Sequence, residues 1–176
     1  EKALSFDDVI GLSIGTRTDC VTDEILDYLV GLSTDKEIWV EYGIQSFYDE
    51  TLVRVNRGDS VSNMKHWIKR TKEKGLNVCG HLTYGLPGEN QEMMLETFKQ
   101  TVELNVDSIK FHPLYVVKNT LLTNEFKKGK FNPISEELYI DTVVKSIINL
   151  PSNISVQRVT AGIDDSTLLS PEWCRN

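Results

Sequence analysis

The sequence has no apolar run near the roughly 18–20 residues that a membrane-spanning helix needs, and the residues from Glu1 onward do not read as a signal peptide. Cysteine is scarce. Cys20, Cys79 and Cys174 are an odd number set far apart, which excludes a disulfide framework and a complete CxxC metal site and fits a reducing, cytoplasmic compartment. Cys79, inside a predicted strand, reads as a buried small hydrophobe; Cys20 and Cys174 read as exposed. Positive charge is also in short supply: a net charge of −7 and a pI near 5.0 argue against a broad nonspecific nucleic-acid footprint. The one basic run, Lys65, Lys69, Arg70, Lys72 and Lys74, reads as the solvated face of a helix.

What is present is the composition of an ordinary globule, 40% hydrophobic and 26% charged over 176 residues, expected to form a single domain over 1–176. Strand side chains alternate with period two. In the stretch IWVEYGIQ, Ile38, Val40, Tyr42 and Ile44 therefore take one face, and Glu41, Gly43 and Gln45 the other. The same partition recurs. Ile10, Leu12 and Ile14 oppose Gly11, Ser13, Gly15 and Arg17; Leu82, Tyr84 and Leu86 oppose His81, Thr83 and Gly85; Ile109, Phe111 and Pro113 oppose Ser108, Lys110 and His112. A closed eight-stranded barrel fills its lumen with Val, Ile and Leu. A face of Glu, Gln, His, Lys, Arg and Gly instead implies a polar cavity or a solvated sheet face.

Amphipathic helical patterns separate these strands. Thr22 or Asp23 caps one holding Ile25, Leu26, Leu29 and Val30; Ser60 or Ser62 opens one with Met64, Trp67 and Ile68 that Gly75 closes; Asn90 caps Met94, Phe98 and Val102. Ser135 caps a longer one with Leu138, Val143, Val144, Ile147 and Ile148, with Ile134 and Tyr139 as a hydrophobic staple and Pro151 as its stop. A final strand is expected near Ile154–Thr160. Repeated βα units imply an α/β fold with a parallel sheet, curved into part of a barrel. The excursion Val116–Phe131 follows a strand, where parallel α/β folds place function.

Four groups carry candidate chemistry. Gly15, Thr16, Arg17, Thr18 and Asp19 offer N–H groups and a guanidinium to an anion. Glu41 and Gln45 suit an ammonium or a ribose hydroxyl, or an internal salt bridge. Arg57 in RVNRG suits a carboxylate, whereas Arg54 reads as a surface residue. HLTYGLPGE turns sharply through Gly85, letting backbone approach a flat ring, or simply closing a βα turn.

Together, EYGIQSF, RVNRG and HLTYGLPGE resemble the radical S-adenosylmethionine (SAM) superfamily core of oxygen-independent coproporphyrinogen oxidases and elongator-type radical enzymes. Through GTRTDC, WVEYGIQS, KFHPLYVVKNT, QRVT and SPEWC the chain is similar, over nearly its whole length, to a bacterial YhcC-like group. The resemblance implies a six-stranded parallel partial TIM barrel with SAM across the strand C-termini and a [4Fe–4S] cluster on a CxxxCxxC loop after the first strand. That loop is nowhere in these residues. The expectation is therefore the C-terminal part of a core domain, about five βα units, opening on a helix-like EKALSFDD, with the cluster bound upstream and a possible cut near Arg175 and Asn176.

By the resemblance, Gln45 and Arg57 stand where coproporphyrinogen oxidases have a cofactor-binding Gln and Arg. His81 takes the place of an Asp, and Gly15 falls near a cofactor-binding Glu whose contact is lost or passes to Arg17 or Glu41. The implied cofactor set is Gly15, Arg17, Glu41, Gln45, Arg57, His81 and Gly85, with Lys110 and His112 as substrate or cofactor contacts and no metal ligand among these residues. The intact protein would be an iron–sulfur oxidoreductase cleaving SAM to a 5′-deoxyadenosyl radical, served by a reductant such as flavodoxin or ferredoxin. Its substrate is open; RNA is a class the resemblance allows and the charge does not support. Two other readings stay open: a barrel lyase or aldolase using Lys110 as a Schiff-base nucleophile, and a non-catalytic binding module. The 176-residue chain purified alone is expected to be inactive, colourless and iron-free; stoichiometric iron with cluster absorbance would contradict the cysteine argument.

Overall fold

The computed structural model describes residues 2–163 and 166–175; Glu1 and Asn176, at the two chain ends, lie outside the described residues. Strands β1 (Gly11–Thr16), β2 (Glu37–Gln45), β3 (Asn77–Tyr84) and β4 (Ser108–Pro113) pair in sequence order and all in parallel. After β5 (Val116–Val117), β6 (Ser155–Arg158) joins β4 as the fifth parallel strand, while β5 pairs antiparallel with β7 (Leu168–Ser170) in a separate ribbon. Helices α1 (Asp23–Leu32), α2 (Asp49–Arg54), α3 (Val61–Glu73) and α4 (Gln91–Glu103) fill the early crossovers, with α5 (Leu121–Lys127) and α6 (Glu136–Ile148) between β4 and β6.

Each of the longer helices starts on a side-chain cap. Thr22, Ser60, Asn90 and Ser135 accept from the backbone N–H groups of Ile25, Asn63, Met93 and Leu138, satisfying donors that a first helical turn leaves unpaired. Thr120 caps α5 in the same way, inside the excursion after β4.

The expected strand parity holds. Ile38, Val40, Tyr42 and Ile44 are at most 2% exposed and pack under the helices. The two tyrosines on this face keep their hydroxyls bonded, Tyr42 to Thr71 of α3 and Tyr84 to Ser146 of α6, each at 2.8 Å. Gly80 lets α4 come close to β2: a Cβ there would lie 3.0 Å from Ile44 Cδ1 and 3.1 Å from Thr101 Cγ2.

Several expectations need correction. Ile10 precedes the edge strand β1 and is 82% exposed. Leu86 lies past its strand end, β3 stopping where Gly85 turns to φ +88°. Ile25 is exposed, as are Leu138, Val144, Ile147 and Ile148; α6 buries Tyr139, Thr142, Val143 and Ser146 instead, the stripe that faces Tyr84. Cys174 is buried rather than exposed, since the C-terminal segment folds back. Its neighbour Trp173 stacks at 5.2 Å on Tyr139 and donates from Nε1 to the Ile134 carbonyl at 3.3 Å. The basic run on α3 is partly consumed by ion pairs: Arg70 with Asp23, Lys74 with Asp23 and Asp27, Lys72 with Asp107.

Adjacent residues should then respond oppositely. Ile44→Asp buries a carboxylate with no partner and should cost at least about 3 kcal/mol in urea unfolding. Gln45→Leu, on the other face, should stay within about 1 kcal/mol of the parent, near the value of one hydrogen bond. A tolerated Ile44→Asp beside an unfolded Gln45→Leu would invert the register.

Candidate cofactor site on the inner face of the sheet

The parallel register stacks the inward side chains in rows. Gly15, Glu41, Cys79 and Ser108 lie side by side across four strands; Gly43, His81, Lys110 and Arg158 form the next row, and Thr83 stands beside His112 above it. Glu41 is the hub. Ser13 donates its hydroxyl to one carboxylate oxygen, while His81 Nε2 at 2.6 Å and Lys110 Nζ at 2.5 Å share the other. The Glu41 and Lys110 side chains are only 12% and 13% exposed. Burial alone would raise the Glu41 carboxyl, but the bonds from Lys110, Ser13 and His81 outweigh it and hold the group at about 2.

The two histidines are neutral. Burial lowers His81 more than Glu41 raises it, so it meets the ionised carboxylate through an Nε2–H. Burial, reinforced by His81, brings His112 down to about 4. The rings stack at 5.4 Å, and His112 Nε2 is buried without a partner among the described residues.

At the end of β2 the backbone departs from a regular strand. Gln45 has φ +68°, a left-handed conformation rarely taken by residues with a side chain, and the ladder to β3 slips between Gly43 and Gln45. The Gln45 side chain folds back over Gly43 and accepts from Thr83. A Cβ at Gly43 would sit 2.8 Å from Gln45 Nε2 and 3.2 Å from an Arg57 terminal nitrogen, so a larger residue there would displace both side-chain ends. Arg57 Nη2 donates to the Gly43 carbonyl at 2.5 Å, yet Arg57 Nε is buried with no acceptor among the described residues. Burial, with Arg17 nearby, lowers this guanidinium below its usual value.

The turn after Gln45 is braced. Ser46 donates to Glu89 and accepts from the Tyr48 N–H at 3.1 Å, and Thr97 of α4 accepts from the Phe47 N–H at 3.2 Å. Burial raises the Glu89 carboxyl.

Two cavities open over these rows. One of about 440 Å³ is bordered by Gly15, Arg17, Glu41, Gly43 and His81, and another of about 280 Å³ by Gln45, His81, Thr83, His112 and Tyr115. His81 borders both. Gly15, Arg17, Glu41, Gln45, Arg57, His81, Lys110 and His112 are thus brought together. Arg17 is ion-paired with Asp19 at the rim. Arg54 pairs with Glu125 outside the site, as its surface reading implied. At Gly85 the space a side chain would take is filled by Ile134, 2.8 Å from the Cβ position. Lys110 is held as one half of a buried ion pair rather than as a free amine. Cys79 is buried as expected, and strand parity with His81 turns it toward the polar rows. The Ser46–Glu89 brace joins two loops and has no signature in either.

The donor set discriminates between the two groups that the fold suggests. Two buried nitrogens lacking partners, a glycine cradle and open rims fit a polar organic molecule with acceptor oxygens, such as SAM. They do not fit an iron–sulfur cluster: Cys20 is exposed after β1, and Cys79 and Cys174 are buried in different parts of the fold.

Comparison with known proteins agrees. The Radical SAM superfamily profile matches residues 2–101, and the Radical_SAM C-terminal domain profile matches residues 106–176. The chain belongs to the radical SAM superfamily. Protein YhcC of Escherichia coli is 38% identical over the whole chain, which spans 57% of that protein's length. Among solved structures, the archaeal Methanocaldococcus infernus Elp3 with an N-terminal deletion matches at a TM-score of 0.82 and 29% identity, covering 91% of this chain and 38% of that one. Coproporphyrinogen III oxidase (HemN) of E. coli shares the fold, at a TM-score of 0.58 and 24% identity over 78% of this chain and 31% of its own. The five parallel strands are thus part of a radical SAM partial barrel.

The depressed Glu41 and His112 values set the acid response of this core. Both groups bind protons more weakly folded than unfolded, so each contributes stability at neutral pH that is lost as pH falls. His112 acts between about 6.5 and 4, and Glu41 between about 4.5 and 2. Urea midpoints measured from pH 7 to pH 3 should fall throughout, and Glu41→Gln should flatten the lower window. Equal slopes there in parent and variant would contradict the Glu41 assignment.

Proposed function

We propose that the intact protein is a radical SAM enzyme in which this inner face binds and orients SAM. The observation that carries the reading is the Arg57 guanidinium, fixed by the Gly43 carbonyl with its buried Nε lacking an acceptor, beside a Gln45 amide held in a left-handed turn. An acceptor oxygen of the cofactor would complete the Arg57 bonding, and the Gln45 amide, with a donor and an acceptor end, would fix its orientation. Gly15 and Arg17 form the rim over which it enters, and Glu41 with His81 and Lys110 forms a charged floor that excludes apolar ligands. His112 offers its free Nε2 to whatever occupies the adjoining cavity, cofactor or substrate.

When bound with a [4Fe–4S] cluster, SAM supplies one-electron cleavage chemistry, for which a small reductant protein would provide the electron. The residues of this chain bind, orient and shield; cluster ligands would come from elsewhere in the protein, whose relatives are much longer than this chain. The charge of −7 gives no support to an RNA substrate.

Calorimetry on the full-length, cluster-reconstituted protein tests the reading. Arg57→Ala and Gln45→Ala should each weaken SAM binding by about 1–3 kcal/mol, the cost of removing one partner of a buried or charged hydrogen bond, with cluster content unchanged. Affinities equal to the parent would retire the assignment.

A further inference from the structure

Cys79 has no part in the cofactor reading, yet it stands between Glu41 and Ser108 in the lowest described row of the site. Its sulfur, a carboxylate oxygen of Glu41 and a ring nitrogen of His81 all lie within 4.8 Å of one another. The three side chains come from adjacent strands β2 and β3, two of them at i and i+2 of the same strand, so the sheet itself fixes their spacing. We propose that Glu41, Cys79 and His81 form a site for a borderline-soft divalent metal ion, with zinc the best match, at the floor of the cavity and separate from the iron–sulfur cluster.

The chemistry selects the ion. A thiolate and an imidazole favour zinc over magnesium or calcium, which prefer all-oxygen shells. Zinc bonds of about 2.0–2.3 Å place tetrahedral ligands about 3.3–3.7 Å apart, so side-chain rotations of about 1 Å would close the set. The ion would replace the proton now lying between His81 Nε2 and Glu41, where the two atoms are 2.6 Å apart. That proton moves to His81 Nδ1 by tautomer exchange, and the thiol proton of Cys79 leaves to solvent as the sulfur becomes a thiolate. Ionised Cys79 and Glu41 balance the two charges of the ion. Lys110 and Ser13, already bonded to Glu41, remain as supporting partners that orient the carboxylate. Three protein ligands leave a fourth position open toward the cavity bordered by Glu41 and His81, the arrangement of zinc sites that bind a water or a substrate atom.

The test uses the full-length protein with its cluster assembled, loaded with zinc chloride, desalted and analysed for metal per polypeptide. The parent should hold one zinc more than Cys79→Ser or His81→Ala, and competition with a chromophoric chelator should show affinity falling by more than about 100-fold in either variant, beyond the roughly 10–100-fold that a supporting partner alone contributes. Zinc captured by cluster cysteines would be common to all three proteins and cancels in the difference. Because a buried substitution can disturb folding, a second measurement needs no variant: cobalt added to the parent should give a thiolate-to-cobalt charge-transfer band, and zinc should protect Cys79 from alkylation under mild denaturant. Equal zinc content and affinity in parent and variants, or no cobalt band and no protection, would overturn the site. Neither readout depends on SAM binding, so failure here leaves the cofactor reading standing, and the reverse.

Discussion

One carboxylate organises the polar face of this sheet. Glu41 sits on β2 and takes hydrogen bonds from Ser13 on β1, His81 on β3 and Lys110 on β4, so a single side chain ties four neighbouring strands together on the side away from the helices. An ionised carboxylate only 12% exposed is costly unless it is well paired. The network is therefore constrained to be complete, and completeness holds the rows in register while leaving open space above them. A barrel packed with branched aliphatic residues would be held by burial alone and would have no such room.

The upper rows show the opposite condition. Glu41 is saturated, but Arg57 and His112 each retain a buried nitrogen without a partner, and Gln45 is held in a left-handed conformation costing about 1–2 kcal/mol for a residue with a Cβ. The Thr83 hydroxyl, the slip in the β2–β3 ladder and the Ser46–Glu89 brace keep Gln45 in place. Stability below thus supports incomplete bonding and strain above, where a ligand would bind. The two levels meet at His81, which bonds Glu41 and borders both cavities.

Much of this was legible in the amino-acid order because strand parity is unforgiving. Ile38 to Ile44 and Leu82 to Tyr84 could bury only one face, so Glu41, Gln45, His81, Lys110 and His112 followed onto the other. Helix starts were equally plain, since a short polar cap before an amphipathic run has few alternatives. Features that depend on a third element were not. The Ser46–Glu89 brace joins the turns after β2 and β3. Burial of Cys174 depends on Trp173 finding Tyr139. Which α6 stripe is buried depends on Tyr84 of β3 meeting Tyr139 and Ser146, which a helical period does not encode. Cys79 is buried as its residue type suggests, and strand parity also places it in line with His81.

Glu41 and Lys110 should stabilise the fold through direct coupling rather than as two independent polar groups. A double-mutant cycle of Glu41→Gln and Lys110→Met, read by urea unfolding at pH 7, isolates that coupling. Two contacting charges so little exposed should show an interaction energy of at least about 1.5 kcal/mol, within the range of neighbouring residues in one network. Additive single-mutant effects, with a coupling below about 0.5 kcal/mol, would contradict the role given to Glu41 and leave the polar face without its organising interaction.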